Sequence, residues 1–180
     1  MSGALILTGA PGAGKSSVLD ALSTMLELER VPFGAVETEQ LARGWPWLRA
    51  SEWMPQLAAV IDLQRQLGRE TFLVVATTET EQELRAVIDA VGADRTLVAC
   101  LSAPPPLVAC RVYEREPDEW PGKLALIEHA RKLAEEIPSL PSIDFTLSTV
   151  DRDVHEVATE VRRLLASTGI VRAASRSLPS

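Results

Sequence analysis

The sequence predicts an α/β domain, with a single doubly wound, parallel five-stranded sheet flanked by helices. Three observations predict it. Short apolar runs alternate along the chain with stretches of helical periodicity, the runs are apolar at successive positions, as in Phe72-Leu73-Val74-Val75-Ala76, and a glycine-rich loop joins the first run to the first helix. A strand with one solvent face alternates apolar and polar residues. Wholly apolar runs instead require burial on both faces, the condition of a parallel sheet with helices above and below it.

Residues 4–8 form the first expected strand, and the helical stretch 15–29 follows the glycine loop. A second strand at 33–36 leads to a helix at 51–67, a third at 71–77 to a helix at 79–91, and a fourth at 96–101 to a helix at 105–114. A helix at 123–137, a strand at 144–147 and a helix at 151–166 complete the order. In the last helix Val154, Val157, Ala158, Val161, Leu164 and Leu165 share one face, while Asp151, Arg152, Glu156, Arg162 and Arg163 lie largely on another; this is an amphipathic cover for a sheet. Right-handed crossovers are expected between the strands. The domain is expected to span 1–168. The tail 169–180, poor in apolar residues from Arg172 onward, is expected to fray.

The chain has 180 residues, 46% hydrophobic and 24% charged, which fits one globular domain. A net charge of −7 argues against a basic face for a nucleic-acid backbone. No run approaches the about 18 apolar residues that span a bilayer, and residues 4–7 are too few for a secretory segment, so a cytoplasmic location without membrane association is expected. Cys100 and Cys110 form no CxxC, and His129 and His155 fall in separate helices, so no metal cage of these residues is indicated.

Gly9-Ala10-Pro11-Gly12-Ala13-Gly14-Lys15-Ser16 matches GxxxxGK[ST], with an apolar strand before it and a helix after it. In such a P-loop the glycines turn backbone N–H groups onto phosphate oxygens, and the helix N-terminus adds partial positive charge. Residues 9–16 with Ser17 are the expected nucleotide cradle. Lys15 is expected on the β- and γ-phosphates, and the Ser16 hydroxyl on Mg²⁺. The competing reading is a tight turn without a ligand.

Ligands of parallel sheets bind beyond the carboxyl ends of the strands. Glu37 and Glu39 directly follow the second strand, at that edge. A carboxylate there can take the proton of an attacking hydroxyl or hold the metal's water shell, and a second can orient substrate. Equally, both can be the charged start of a following helix. Arg111 and Arg115, four residues apart on one helical face, precede the helix-breaking segment 116–122. This has the form of a short lid whose arginines clamp phosphate, the alternative being surface pairs with neighbouring carboxylates. Trp45, Trp47 and Trp53 cluster in a chain with few aromatic residues. They point to an apolar or ring-bearing acceptor bound near Glu39, Arg43, Trp47 and Trp53, with Arg43 or Arg49 available for an anionic group, or else to packing or a dimer surface.

These motifs resemble the small P-loop kinases grouped around gluconate kinase, shikimate kinase and chloramphenicol phosphotransferase, over most of residues 3–166. Val74-Val75-Ala76-Thr77-Thr78, followed by a helix reaching Arg85, is similar to the gluconate kinase pattern, and no Walker B aspartate ends the strand. Arg111-Val112-Tyr113-Glu114-Arg115 keeps that family's spacing of two arginines before the lid. Phe33-Gly34-Ala35-Val36-Glu37 resembles the segment of chloramphenicol phosphotransferase that carries its catalytic aspartate, which implies the base role for Glu37. The histidine–proline pair of gluconate kinases is absent, leaving only the echo Arg43-Gly44-Trp45-Pro46-Trp47-Leu48.

The resemblance implies a P-loop NTPase fold and ATP in preference to GTP, with adenine between Arg111 and residues 148–151. It also implies transfer of the γ-phosphoryl group to a hydroxyl of a small molecule by a monomer or homodimer. In that reading Lys15, Glu37, Arg111 and Arg115 are catalytic. The alternative is a nucleotide-binding regulatory or accessory protein with little kinase activity.

Overall fold

The protein is described here by a computed structural model covering residues 1–171. Five parallel strands, β1 (Gly3–Thr8), β2 (Phe33–Glu37), β3 (Thr71–Val75), β4 (Arg95–Ser102) and β5 (Phe145–Ser148), form one sheet in the order β2-β3-β1-β4-β5. The first strand is therefore central, paired with β3 from Gly3↔Thr71 and with β4 from Gly3↔Arg95. The helices are α1 (Lys15–Leu28), α2 (Thr38–Ala42), α3 (Ala50–Gln66), α4 (Glu81–Val91), α5 (Pro105–Arg115), α6 (Lys123–Glu136) and α7 (Val154–Ser167), with a 3-10 turn at Ile137–Ser139.

The alternation of side chains along β1 explains why every residue of that strand is apolar or small. Leu5 and Leu7 point into a core built with Val18, Leu22 and Leu26 of α1 and Val157, Val161 and Leu165 of α7. Ala4 and Ile6 point to the opposite face, where Leu57 and Ile61 of α3 and Leu84 and Val87 of α4 cover the sheet. A third core joins Cys100 of β4 to Val108 and Val112 of α5 and to Ile127, Ala130 and Leu133 of α6. The central strands β1 and β3 and most of β4 are buried on both faces, as the sequence required, while the edge strands β2 and β5 are partly exposed.

The differences from the sequence reading lie at element ends and in one short added helix. The fourth helix starts at Glu81 and not at 79, because the Thr80 side chain accepts a hydrogen bond from Glu83 N and caps it there. The last helix starts at Val154, behind an Asp153–Glu156 capping box, and not at 151. Residues 38–42, given no element of their own, form α2. Packing also runs past the expected boundary at 168: Val171 is buried and Ile170 packs against the core around α1 and α7. The part of the expected tail from Arg172 onward lies outside the described residues.

Candidate functional site

The loop after β1 is shaped by glycines. Gly12 has φ 82°, and a Cβ there would sit 2.7 Å from the Val108 carbonyl oxygen of α5, so no other residue fits without displacing backbone. Gly14, at φ 96° and ψ 16°, turns the chain into α1 at Lys15. The first turn of a helix has N–H groups without intrahelical acceptors, and here they open onto a cavity of about 290 Å³ lined by Pro11, Gly12, Gly14, Ser16 and Ser17. Ala10 and Ala13 of the loop are buried and pack its back against the core, and Ala13 N donates to Ala10 O across the turn.

Lys15 also lines this cavity, and its ammonium donates to the carbonyls of Gly9 (2.8 Å) and Ala10 (3.1 Å). Burial lowers its pKa from 10.5 to about 8, against the opposing attraction of Glu39 and, more weakly, Glu37. A buried cation with only neutral oxygens bonded to it is poised for an anion.

Both glutamates flank the same cavity. Glu37 is the last residue of β2, which is separated from β1 by β3, yet Ser16 Oγ donates to Glu37 Oε2 at 2.7 Å. Glu39 lies in the first turn of α2, and Thr77 Oγ1, just beyond β3, donates to its Oε1 at 3.0 Å. Helix start and site thus coincide. The two readings of these glutamates do not exclude one another, because α2 begins at the carboxyl edge of the sheet. That edge is tied together beneath the loop by a buried hydroxyl pair, Thr8 and Thr78, 2.9 Å apart.

Arg111 and Arg115, on one face of α5, both line the loop's cavity. Arg111 turns inward, donating to Gly12 O at 3.2 Å and to Thr149 Oγ1 and O at 3.0 and 3.1 Å. It thereby walls a second cavity of about 240 Å³ that includes Ser17, Thr149, Arg152, Val154 and Val157. Arg115 is half-exposed and pairs with Glu116 at 2.6 Å, so the surface-pair reading describes this residue in the present conformation. The segment 116–122 is braced from below: buried Lys123 donates to Glu116 O and Asp118 Oδ1, 2.8 and 2.6 Å away, and lies 4.0 Å from the centre of the Tyr113 ring.

The third and largest space, about 930 Å³, continues from the loop between α2, α3, the start of α4 and α6, and shares Pro11, Ser16, Glu37, Glu39 and Arg115 with the phosphate-sized cavity. Arg43, Trp47 and Trp53 are among the residues that line it. The tryptophans divide. Trp53 is 7% exposed and belongs to the core, Trp47 is 56% exposed at the cavity wall, and Trp45, 98% exposed, is not part of it. Arg49 does not line the cavity either; it is the N-cap residue before α3.

The sequence reading missed Thr77, Glu79, Glu83, Trp120 and His129 on this wall. Thr77 and Glu79 directly follow β3, so the rule that sites lie beyond strand ends reaches them. Trp120 and His129 come from the lid segment and α6, and no local pattern announces them. His129 Nε2 lies 2.8 Å from Glu79 Oε1, bridging α6 to the β3–α4 connection. A further cavity of about 580 Å³ lies among Ser2, Arg30, Gly68 and Arg95, at the amino ends of the strands and away from all of these groups. Among the described residues no group of three or more His, Cys, Asp or Glu is arranged to hold a metal, and no helix is long and apolar enough to cross a membrane.

No protein-family model and no curated protein sequence matches the chain. Solved structures do. A gluconokinase from Sinorhizobium meliloti 1021 superposes with a TM-score of 0.63 at 21% identity, covering 92% of each chain. The Mycobacterium tuberculosis APS kinase CysC in complex with AMPPNP and APS gives 0.64 at 19% identity, covering 91% of this chain and 97% of that one. Shikimate kinase from Acinetobacter baumannii in complex with shikimate gives 0.58 at 16%, covering 95% and 97%. At these identities the likeness is one of fold. The chain has the fold of small P-loop kinases, as the resemblance implied.

Proposed function

We propose that the protein transfers the γ-phosphoryl group of ATP to a hydroxyl of a small molecule. The observation that carries this reading is the continuity of the two spaces: a phosphate-sized cradle opens into a cavity large enough for an acceptor, and the junction is made by Ser16, Glu37, Glu39 and Arg115. A protein that only binds nucleotide has no need of the second space. The nucleotide base is assigned to the cavity between Arg111, Thr149 and the apolar Val154 and Val157.

Mg²⁺ suits the site on its donor set. Ser16 Oγ and Glu37 Oε2 are hard oxygen donors 2.7 Å apart at the loop, and a magnesium ion takes few protein ligands, leaving the others to phosphate and water. When bound, the ion would neutralise charge on the phosphates. The residues supply the remaining work. Backbone N–H groups of the loop and Lys15 hold the phosphates, and Arg115 faces the transferred group once it exchanges Glu116 for phosphate.

Sequence reasoning gave the base role to Glu37. The contacts favour a division of labour instead: Glu37, engaged with Ser16, serves the metal side, and Glu39, held by Thr77 at the junction, takes the proton. As the acceptor oxygen bonds to the γ-phosphorus, its proton passes to Glu39, and the bond to the bridging oxygen breaks to release ADP.

The test is acceptor-stimulated ADP release with Mg²⁺, across sugar acids, aminocyclitols, phenolic compounds and nucleosides, with product analysis for a phosphorylated acceptor. Glu39→Gln should lower kcat by about 10²–10⁴ with nucleotide affinity retained, while Glu37→Gln should raise the Mg²⁺ requirement as well. Nucleotide binding without stimulation by any acceptor would refute the transfer reading, and an unchanged kcat in Glu39→Gln would refute the division of roles.

A further inference from the structure

The large cavity carries an unusual combination of charge and aromatic surface. Its wall bears five carboxylates, those of Glu37, Glu39, Glu79, Glu83 and Glu116, against two guanidiniums, Arg43 and Arg115, and one imidazole, His129. Two of these carboxylates have local partners: Glu116 pairs with Arg115, and Glu79 Oε1 lies within hydrogen-bond distance of His129 Nε2. Glu37 and Glu39 serve the transfer itself. That leaves Glu83 of α4 and Arg43 at the end of α2 to greet the acceptor.

Their environments differ. Glu83 is half-buried, and its carboxylate accepts from Glu79 N at 2.9 Å, a bond within its own helix entry that leaves the second oxygen for a ligand. Burial pushes its pKa up; the bond from Glu79 N opposes this and the Glu79 charge adds a smaller push in the same direction as burial, so the surroundings disfavour the carboxylate's charge and a cationic partner would offset that. Arg43 is exposed and follows the last turn of its short helix. A carboxylate acceptor is held best by a bidentate, enclosed arginine, and would enter beside the phosphates and four or more glutamates. Three indoles, those of Trp47, Trp53 and Trp120, also line the space, and indole surfaces receive both ring faces and ammonium groups.

Resting on the transfer reading above, we infer that the acceptor is a ring-bearing hydroxyl compound carrying an ammonium group, received by Glu83 and the tryptophan wall. This reverses the sequence expectation of an anionic group held by Arg43 or Arg49. A volume of about 930 Å³ is that of a site for a drug-sized molecule.

The inference is tested by direct binding to the full-length protein with ADP and Mg²⁺ present, read by tryptophan fluorescence. The probes are three carbocycles that differ in charge: myo-inositol (neutral), 2-deoxystreptamine (cationic) and quinate (anionic). The cationic probe is expected to bind about tenfold tighter than the neutral one, as for a hydrogen bond to a charged group, with quinate the weakest. Glu83→Gln, which keeps an acceptor for Glu79 N, should erase most of that preference.

Equal binding of the three probes, tighter binding of quinate, or no response to 2-deoxystreptamine overturns the inference. So does a cationic preference that survives in Glu83→Gln. ADP release is measured in parallel and separates the two proposals. A cationic preference with no ADP release stimulated by any acceptor of the wider panel sinks phosphoryl transfer alone, and turnover with quinate or myo-inositol in preference to the amine sinks the cation assignment alone.

Discussion

Replacing Lys15 by methionine should change the stability of the nucleotide-free protein in a pH-dependent way. The Lys15 ammonium is buried, and its pKa falls from 10.5 to about 8, which corresponds to about 3 kcal/mol of destabilisation of the folded state while the amine is charged. The unfolded chain keeps that proton up to about 10.5, whereas the folded one releases it near 8. Between those values the unfolded state binds more protons, so stability rises with pH; the full penalty is present below 8 and is gone above 10.5.

Methionine has no charge to desolvate, but it leaves the Gly9 and Ala10 carbonyls without their donor, at roughly 1 kcal/mol each. Lys15→Met should therefore be about 1 kcal/mol more stable than the parent at pH 7 and about 2 kcal/mol less stable at pH 10.5, on these magnitudes. Urea unfolding followed by tryptophan fluorescence at several pH values between 7 and 10.5 measures the difference. Titrating groups that do not interact with Lys15 occur in both proteins and cancel; the Cys100 thiol, which burial raises to about 11 against the attraction of Lys15, responds to the substitution itself, which is why the comparison stops at pH 10.5. Stability curves that run parallel over this range would refute the reasoning.

The same lysine sets the pH dependence of nucleotide binding. Phosphate favours its charged form, so affinity should be flat below pH 8 and weaken by up to tenfold per pH unit above it, with proton uptake visible by calorimetry in buffers of different ionisation enthalpy. Arg111→Ala removes donors to Gly12 and Thr149 and should weaken ADP binding about tenfold in the same titration. The tryptophans should separate in urea unfolding. Trp53→Ala empties a core position and should cost about 3–5 kcal/mol, whereas Trp45→Ala, at a residue 98% exposed, should stay within about 0.5 kcal/mol.

What the sequence determined by itself is local or periodic. The loop at Gly9–Ser16 is legible because phosphate binding needs small residues at fixed positions between a strand and a helix. The sheet is legible because two buried faces leave no room for polar residues in Leu5-Ile6-Leu7 or Leu73-Val74-Val75. Glu37, Glu39, Arg111 and Arg115 could be singled out because each adjoins a strand end or a lid-like break.

The rest depended on which segments meet. The distance from Ser16 to Glu37 follows from a strand order that places β3 between β1 and β2, and adjacency in the chain does not encode that order. The separation of Trp53 from Trp45 follows from the rotation of α3 onto the sheet, which buries one indole while the other projects from the connection before the helix. Trp120, His129 and Glu83 join one wall only because α6 packs opposite α4 across the carboxyl edge. The charge of that cavity is a sum over five separate elements, and only tertiary structure decides which charges are counted together.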